Sequence, residues 1–134
     1  MSTYLLDTNV WIEYLRGRNP RIAGKIQSLR PRDIAMAAVT VGELSYGAYR
    51  SADPAANLAL LDDLLASFVS LPFDDVAAES FGEQRAILAA VGKLIGPLDL
   101  QIAAIALVGG LILVTHNTAE FSRISGLKLE DWHT

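Results

Sequence analysis

Residues 100–119 carry no Asp, Glu, Lys or Arg, and the pair Gly109-Gly110 divides this stretch. A membrane-spanning helix needs about 20 apolar residues in a row. Here the glycines interrupt the run, and Gln101, Thr115, His116, Asn117 and Thr118 make both ends polar. The segment therefore reads as a buried helix, a glycine turn and a buried strand over residues 111–114. A helix that is apolar all round must be covered on most sides. A short all-apolar strand is typical of a parallel sheet covered on both faces. Few architectures other than layered α/β accommodate both.

The remaining pattern agrees. Tyr4-Leu5-Leu6 reads as a first strand, and Asp7-Thr8-Asn9 offers a cap for a helix carrying Val10, Trp11, Tyr14 and Leu15 up to Gly17. Pro20 opens a second helix to about Leu29, with Ile22 and Ile26 on its apolar face, and residues 30–33 form a turn. Residues 34–39 read as a second strand, and Thr40 is expected to cap a helix running past Glu43 to about Tyr49. Asp53-Pro54 starts another helix, with Leu58, Leu61, Leu64, Leu65 and Phe68 as its stripe, and residues 69–71 follow as a strand. Asp74-Asp75 begins a helix carrying Val76, Phe81, Ile87, Leu88 and Val91. Residues 92–98 read as a loop, Asp99 as the cap of the apolar helix, and residues 127–129 as an edge strand. Strands alternating with helices predict a short, mainly parallel central sheet with helices on both faces, in one domain over residues 1–134.

Composition narrows the functional classes. The chain has 134 residues, 51% of them hydrophobic, which excludes intrinsic disorder. It has no cysteine, so disulfides, thiolate nucleophiles and sulfur-based zinc sites are out. No basic region and apolar core of a signal peptide stand at the N-terminus, and the expected compartment is the cytoplasm. Residues 1–50 hold seven basic and four acidic groups, and residues 51–134 four and eleven, for a net charge of −4. A basic field over the whole chain is thus missing. The local basic stripe between Arg16 and Arg32 is either a solvated surface or a track for phosphates.

The acids are placed more informatively than they are numerous. Asp7 directly follows the first strand, Glu43 lies one turn into the helix after the second, Asp99 heads the buried helix, and Asn117 lies just beyond the strand at 111–114. In open α/β sheets ligands collect outside the carboxyl ends of the strands. Each residue alone has an ordinary structural alternative: a helix cap for Asp7 and Asp99, a solvated helix position for Glu43, a turn for Asn117. Together at one sheet edge, they form a constellation in which carboxylates repel unless a cation or a shared proton compensates. Mg²⁺ fits, because it takes oxygen ligands and is usually held by one or two carboxylates plus substrate phosphate. Such an ion activates water and offsets charge on a phosphodiester, with no need for a Ser, Cys or His nucleophile.

Four segments carry a family resemblance: Leu5-Leu6-Asp7-Thr8-Asn9; Glu43-Leu44-Ser45-Tyr46-Gly47-Ala48; Ile95-Gly96-Pro97-Leu98-Asp99-Leu100-Gln101; and Leu113-Val114-Thr115-His116-Asn117-Thr118-Ala119-Glu120-Phe121. In this order they resemble the successive motifs of PIN-domain ribonucleases, and most closely the VapC toxins of type II toxin–antitoxin pairs. The resemblance implies a three-layer α/β/α fold and a Mg²⁺- or Mn²⁺-dependent endoribonuclease. It implies Asp7, Glu43 and Asp99 as metal ligands, with Thr115 and Asn117 completing the catalytic pocket. Many members have a fourth acid where this chain has Asn117, a departure that favours one metal ion over two. It further implies a homodimer and a VapB-like antitoxin, with Trp11, Ile12 and Leu15 as candidate docking residues unless they are ordinary core. Arg85 is either a phosphate-steering group or a surface helix residue.

Other readings fit less well. A housekeeping PIN-type nuclease, or a PIN-like module that only binds RNA or protein, shares the fold; the intact acids argue against the latter. A phosphoacceptor receiver domain would want paired acids after the first strand and a lysine after the last. A haloacid-dehalogenase-type phosphatase would want Asp-x-Asp, and position 9 is Asn. There is no P-loop and no Gly-x-Ser-x-Gly elbow. His116 and His133 lack the spacing of a zinc site and read as structural or incidental.

Overall fold

The alternation of strand and helix is realised as one sheet with every strand parallel. The computed structural model describes residues 2–134. In chain order the elements begin with β1 (Tyr4–Leu6), α1 (Thr8–Arg16), α2 (Pro20–Ser28), a 3₁₀ turn (Pro31–Asp33), β2 (Ile34–Ala37) and α3 (Ala38–Tyr49). They continue with α4 (Pro54–Ser67), β3 (Val69–Leu71), α5 (Asp75–Ala90), α6 (Pro97–Gly109), β4 (Ile112–Val114), α7 (Thr118–Phe121) and β5 (Lys128–Glu130).

The sheet order is β3-β2-β1-β4-β5. The chain starts in the middle, moves outward through β2 and β3, then crosses back to add β4 and β5 on the other side. The switch lies between β1 and β4, where Leu6 pairs with Val114. Strand alternation sends Leu5, Ala35 and Leu113 to one face, where α5 and α6 cover them with Leu88, Leu100, Ile102 and Ile105. Leu6, Met36 and Val114 point to the other, under Val10 and Trp11 of α1, Ile22 and Ile26 of α2, and Leu61 and Leu64 of α4. The result is the expected three-layer α/β/α arrangement. Gly110, at φ 62°, takes the left-handed conformation that ends α6 and turns the chain into β4.

Several local expectations change. Thr40 caps nothing: β2 stops at Ala37, which is itself the N-cap of α3, and Thr40 lies inside the first turn, fully buried. Helix α6 begins at Pro97 behind Gly96, so Asp99 is its third residue rather than its cap. Proline at the first helical position is a start signal that outweighs the loop character of Gly-Pro. Strand β5 lies one residue later than expected, and the single-turn helix α7 is an addition to the expected elements. Val76 and Ile87 on α5, and Val91 at its C-cap, are solvent-exposed instead of joining a buried stripe. No helix among the described residues is long and apolar enough to cross a membrane.

Candidate active site

Three neighbouring strand ends position the site. Asp7 follows β1 and donates its backbone N–H to the Val114 carbonyl at 2.9 Å, and Thr115, next after β4, donates to the Glu130 carbonyl at 2.9 Å. On the other side of β1, β2 passes straight into α3, which carries Glu43. Asp99 enters from the first turn of α6. Asp7, Glu43 and Asp99 line one cleft of about 590 Å³, with Asn9 and Tyr46 also on its wall. Asn117 borders an adjoining cleft of about 360 Å³ that shares Asp7 and Asn9. Both lie at the topological switch point, where open α/β sheets bind ligands.

Two threonines hold the carboxylates. The Thr115 hydroxyl donates to Asp7 Oδ2 at 2.8 Å and accepts the Asn117 backbone N–H at 3.0 Å. The other Asp7 oxygen, Oδ1, accepts the Thr8 N–H at 2.7 Å, so the carboxylate caps α1 and faces its positive end. The Thr8 hydroxyl donates to Glu43 Oε1 at 2.7 Å and pairs with the Thr40 hydroxyl at 2.9 Å. A hydroxyl has one proton, and Thr8 spends its own on Glu43, so Thr40 is the donor in that pair. Asn117 Nδ2 donates to Glu120 Oε2 at 2.9 Å.

The electrostatics leave this cluster short of positive charge. Burial, only partly offset by the Thr115 and Thr8 hydrogen bonds, raises the Asp7 carboxyl above its usual range, and the charges of Glu43 and Glu120 add to the rise. Burial, then the charges of Asp7, Glu120 and Glu43, push Asp99 up to about 6. Among the described residues, no Lys, Arg or His nitrogen lies within 4.0 Å of any of these four carboxylates. An all-oxygen donor set of carboxylates, a neighbouring amide and hydroxyls suits a hard divalent cation such as Mg²⁺ or Mn²⁺. The residues present therefore fit that group.

The structure thus brings Asp7, Glu43 and Asp99 to one cleft, with Thr115 bonded to Asp7 and Asn117 at its margin. Sequence reasoning missed Glu120, Thr8 and Thr40. Glu120 had a weak signal, one turn beyond Asn117; Thr8 had one in its place beside Asp7; Thr40 had none. The basic and apolar candidates fare differently. Trp11 is fully buried, its ring 5.0 Å from that of Phe68, so it is core and lines no groove. Ile12 and Leu15 do line an open apolar groove of about 310 Å³, with Arg16, Leu44 and Leu60. Arg85 is exposed on α5 over the Phe81 ring and is not on the wall of the acidic cleft.

Comparison with known proteins agrees with this geometry. Residues 4–127 match the family described as the PIN domain. The chain is 38% identical to the tRNA(fMet)-specific endonuclease VapC of Shigella flexneri, over 98% of this chain and 99% of that protein. The DNA-bound VapBC crystal structure from Salmonella typhimurium superposes with a TM-score of 0.93 at 36% identity, covering 98% of this chain and 99% of that one. VapBC-1 of nontypeable Haemophilus influenzae superposes with a TM-score of 0.90 at 32% identity, over the full length of both chains. With the fold, the acidic switch-point cleft and near full-length relatives in agreement, the chain belongs to the PIN-domain family and, within it, to the VapC ribonucleases.

Proposed function

We propose that this chain is the toxin of a toxin–antitoxin pair, a Mg²⁺-dependent endoribonuclease acting on cellular RNA in the cytoplasm, with Mn²⁺ able to substitute. Asp7, Glu43 and Asp99 hold the cation, and Glu120 adds a fourth carboxylate beside them. The observation that carries the reading is the convergence of Asp7, Glu43 and Asp99 in one cleft, within reach of the Glu120 charge and with no Lys, Arg or His nitrogen within 4.0 Å of these carboxylates among the described residues.

When bound, the divalent ion supplies the charge that acidifies a water molecule and offsets negative charge on the scissile phosphate. The protein's own groups prepare the cleft. Thr115 and the Thr8 N–H fix Asp7 through separate oxygens, and the Thr40–Thr8 hydroxyl chain fixes Glu43. Burial and the neighbouring negative charges hold the Asp99 carboxyl up at about 6, so a bound cation would favour its ionised form. Asn117 and Thr115 orient the pocket around Asp7 and Glu120.

The Shigella relative is named for tRNA(fMet), so initiator tRNA is the first substrate to test. A VapB-like antitoxin segment would seat in the apolar groove beside Ile12, Leu15 and Leu60. A homodimer would cover the exposed stripe of Val76, Ile87 and Val91. The deciding experiment incubates the purified chain with initiator tRNA and bulk RNA in Mg²⁺ or EDTA. Cleavage is expected in Mg²⁺ alone and should vanish in Asp99→Asn. Cleavage that persists in EDTA, or in a folded Asp99→Asn variant, would overturn the assignment.

A further inference from the structure

The fold brings together the two histidines that no sequence spacing connects. His116 lies on the loop after β4, while Asp131 and His133 lie on the segment after β5. One ligand atom from each lies within 4.8 Å of the other two. His116 Nδ1 is 3.0 Å from Asp131 Oδ2, and His133 Nδ1 is 3.4 Å from Asp131 Oδ1. The rings lie 4.4 Å apart, tilted by 30°. Asp131 is held for the purpose, since its Oδ1 accepts the His133 backbone N–H at 2.9 Å.

One detail makes this more than a surface ion pair. His133 Nδ1 is out of contact with solvent and has no hydrogen-bond partner among the described residues, although it is aimed at a carboxylate. A buried nitrogen left in this state is unfavourable. A cation held between the rings and the carboxylate would satisfy it.

We propose that His116, Asp131 and His133 form a binding site for Zn²⁺, separate from the acidic cleft. Two imidazole nitrogens, a carboxylate oxygen and a water make an ordinary four-coordinate zinc environment. Bonds of about 2.0–2.1 Å in a tetrahedron place neighbouring ligands roughly 3.3 Å apart. The two nitrogen–carboxylate separations, 3.0 Å from His116 to Oδ2 and 3.4 Å from His133 to Oδ1, stand close to that spacing, each nitrogen facing its own oxygen of Asp131. Nitrogen donors also divide the metals, because imidazole suits Zn²⁺ and other late first-row ions whereas the all-oxygen cleft suits Mg²⁺ or Mn²⁺. The ion would tie the C-terminal segment to the loop that carries Thr115 and Asn117. The cleft of about 360 Å³ bordered by His116 and His133 also reaches Asp7.

The test is unusually direct, because the chain has two histidines and no cysteine. The full chain, labelled with ¹⁵N-histidine and saturated with Mg²⁺, is titrated with ZnCl₂ by NMR and by calorimetry. One equivalent should bind, with the ring nitrogens of both histidines shifting together. His116→Gln and His133→Gln should each weaken binding by at least about tenfold, and Asp99→Asn should leave it unchanged. His116 is largely exposed, so its variant reports on ligation without disturbing the fold. Unmoved histidine signals, full Zn²⁺ affinity in His116→Gln, or loss of binding in Asp99→Asn would each overturn the proposal. It stands independently of the nuclease reading.

Discussion

Asp99→Asn separates the two demands placed on the acidic cleft. It should stabilise the metal-free chain while abolishing metal-dependent cleavage. In the unfolded chain this carboxyl ionises near 3.8; in the folded chain, burial and then the charges of Asp7, Glu120 and Glu43 delay ionisation to about 6. Between those values the folded state binds more protons than the unfolded one, so stability falls as pH rises through the window. The penalty is absent below pH 3.8 and complete above about 6. At full strength, a rise of about two pH units corresponds to about 3 kcal/mol. Asp99 is only partly buried, and solvent screening reduces this to about 1–2 kcal/mol. Asparagine keeps the shape and removes the charge. For a chain of this size the gain is a Tm rise of about 3–8 °C, measured in EDTA at about pH 7.5. The difference should shrink towards nothing near about pH 4. Adding Mg²⁺ should then stabilise the wild type by mass action and leave the variant almost unmoved, closing or reversing the gap. RNA cleavage followed on the same samples should be lost. A variant that melts at or below the wild type in EDTA, or a difference that does not change with pH, would refute the electrostatic reasoning.

Three further substitutions probe the neighbouring groups. Glu120→Gln removes one of the charges raising Asp7 and Asp99; half-maximal cleavage should need about 10–100-fold more Mg²⁺, with the rate recovering at saturation. Thr115→Val deletes the donor to Asp7 Oδ2 and the acceptor of the Asn117 N–H. It should cost about 1–3 kcal/mol in urea unfolding, and the acid limb of the cleavage profile should move to higher pH because Asp7 loses a bond to its ionised form. Thr8→Val leaves the buried Thr40 hydroxyl and Glu43 without their shared partner. A loss of about 1–3 kcal/mol in stability and a fall in kcat are expected, measured by denaturation and by single-turnover cleavage.

The cleft is costly to build, and the topology explains where that cost can be borne. Asp7 is 5% exposed and Thr115 wholly buried, both beside strands whose side chains fill the two cores. A carboxylate in that position needs its oxygens occupied, and Asp7 has one hydroxyl and one amide donor at the head of α1. A strand end in the middle of the sheet brings one donor from the end of the neighbouring β4 and the other from the first residue of α1. At an edge strand the same residues would face water and lose the repulsion that makes a cation favourable. Central placement is therefore part of the chemistry.

What the sequence made legible follows the same physics. The charge-free residues 100–119 could be read because an element covered on every side tolerates no charge. Pro54 behind Asp53, and Asp74 before α5, could be read because caps act through local hydrogen bonds, both of which are present. The start of α3 could not: Val39, Thr40 and Val41 are β-branched and favour strand, yet packing of Val39 and Val41 on opposite cores draws them into a helix. Nor could the meeting of His116 with Asp131 and His133. It depends on the parallel register of β4 and β5, where Val114 sits opposite Glu130, so that the residues just beyond each strand emerge side by side. Strand β5 is three residues long and half-exposed, too short and too polar for its pattern to declare that register. Pairings across a sheet edge are set by partners far away in the chain, and they are where a structure adds most to a reading made residue by residue.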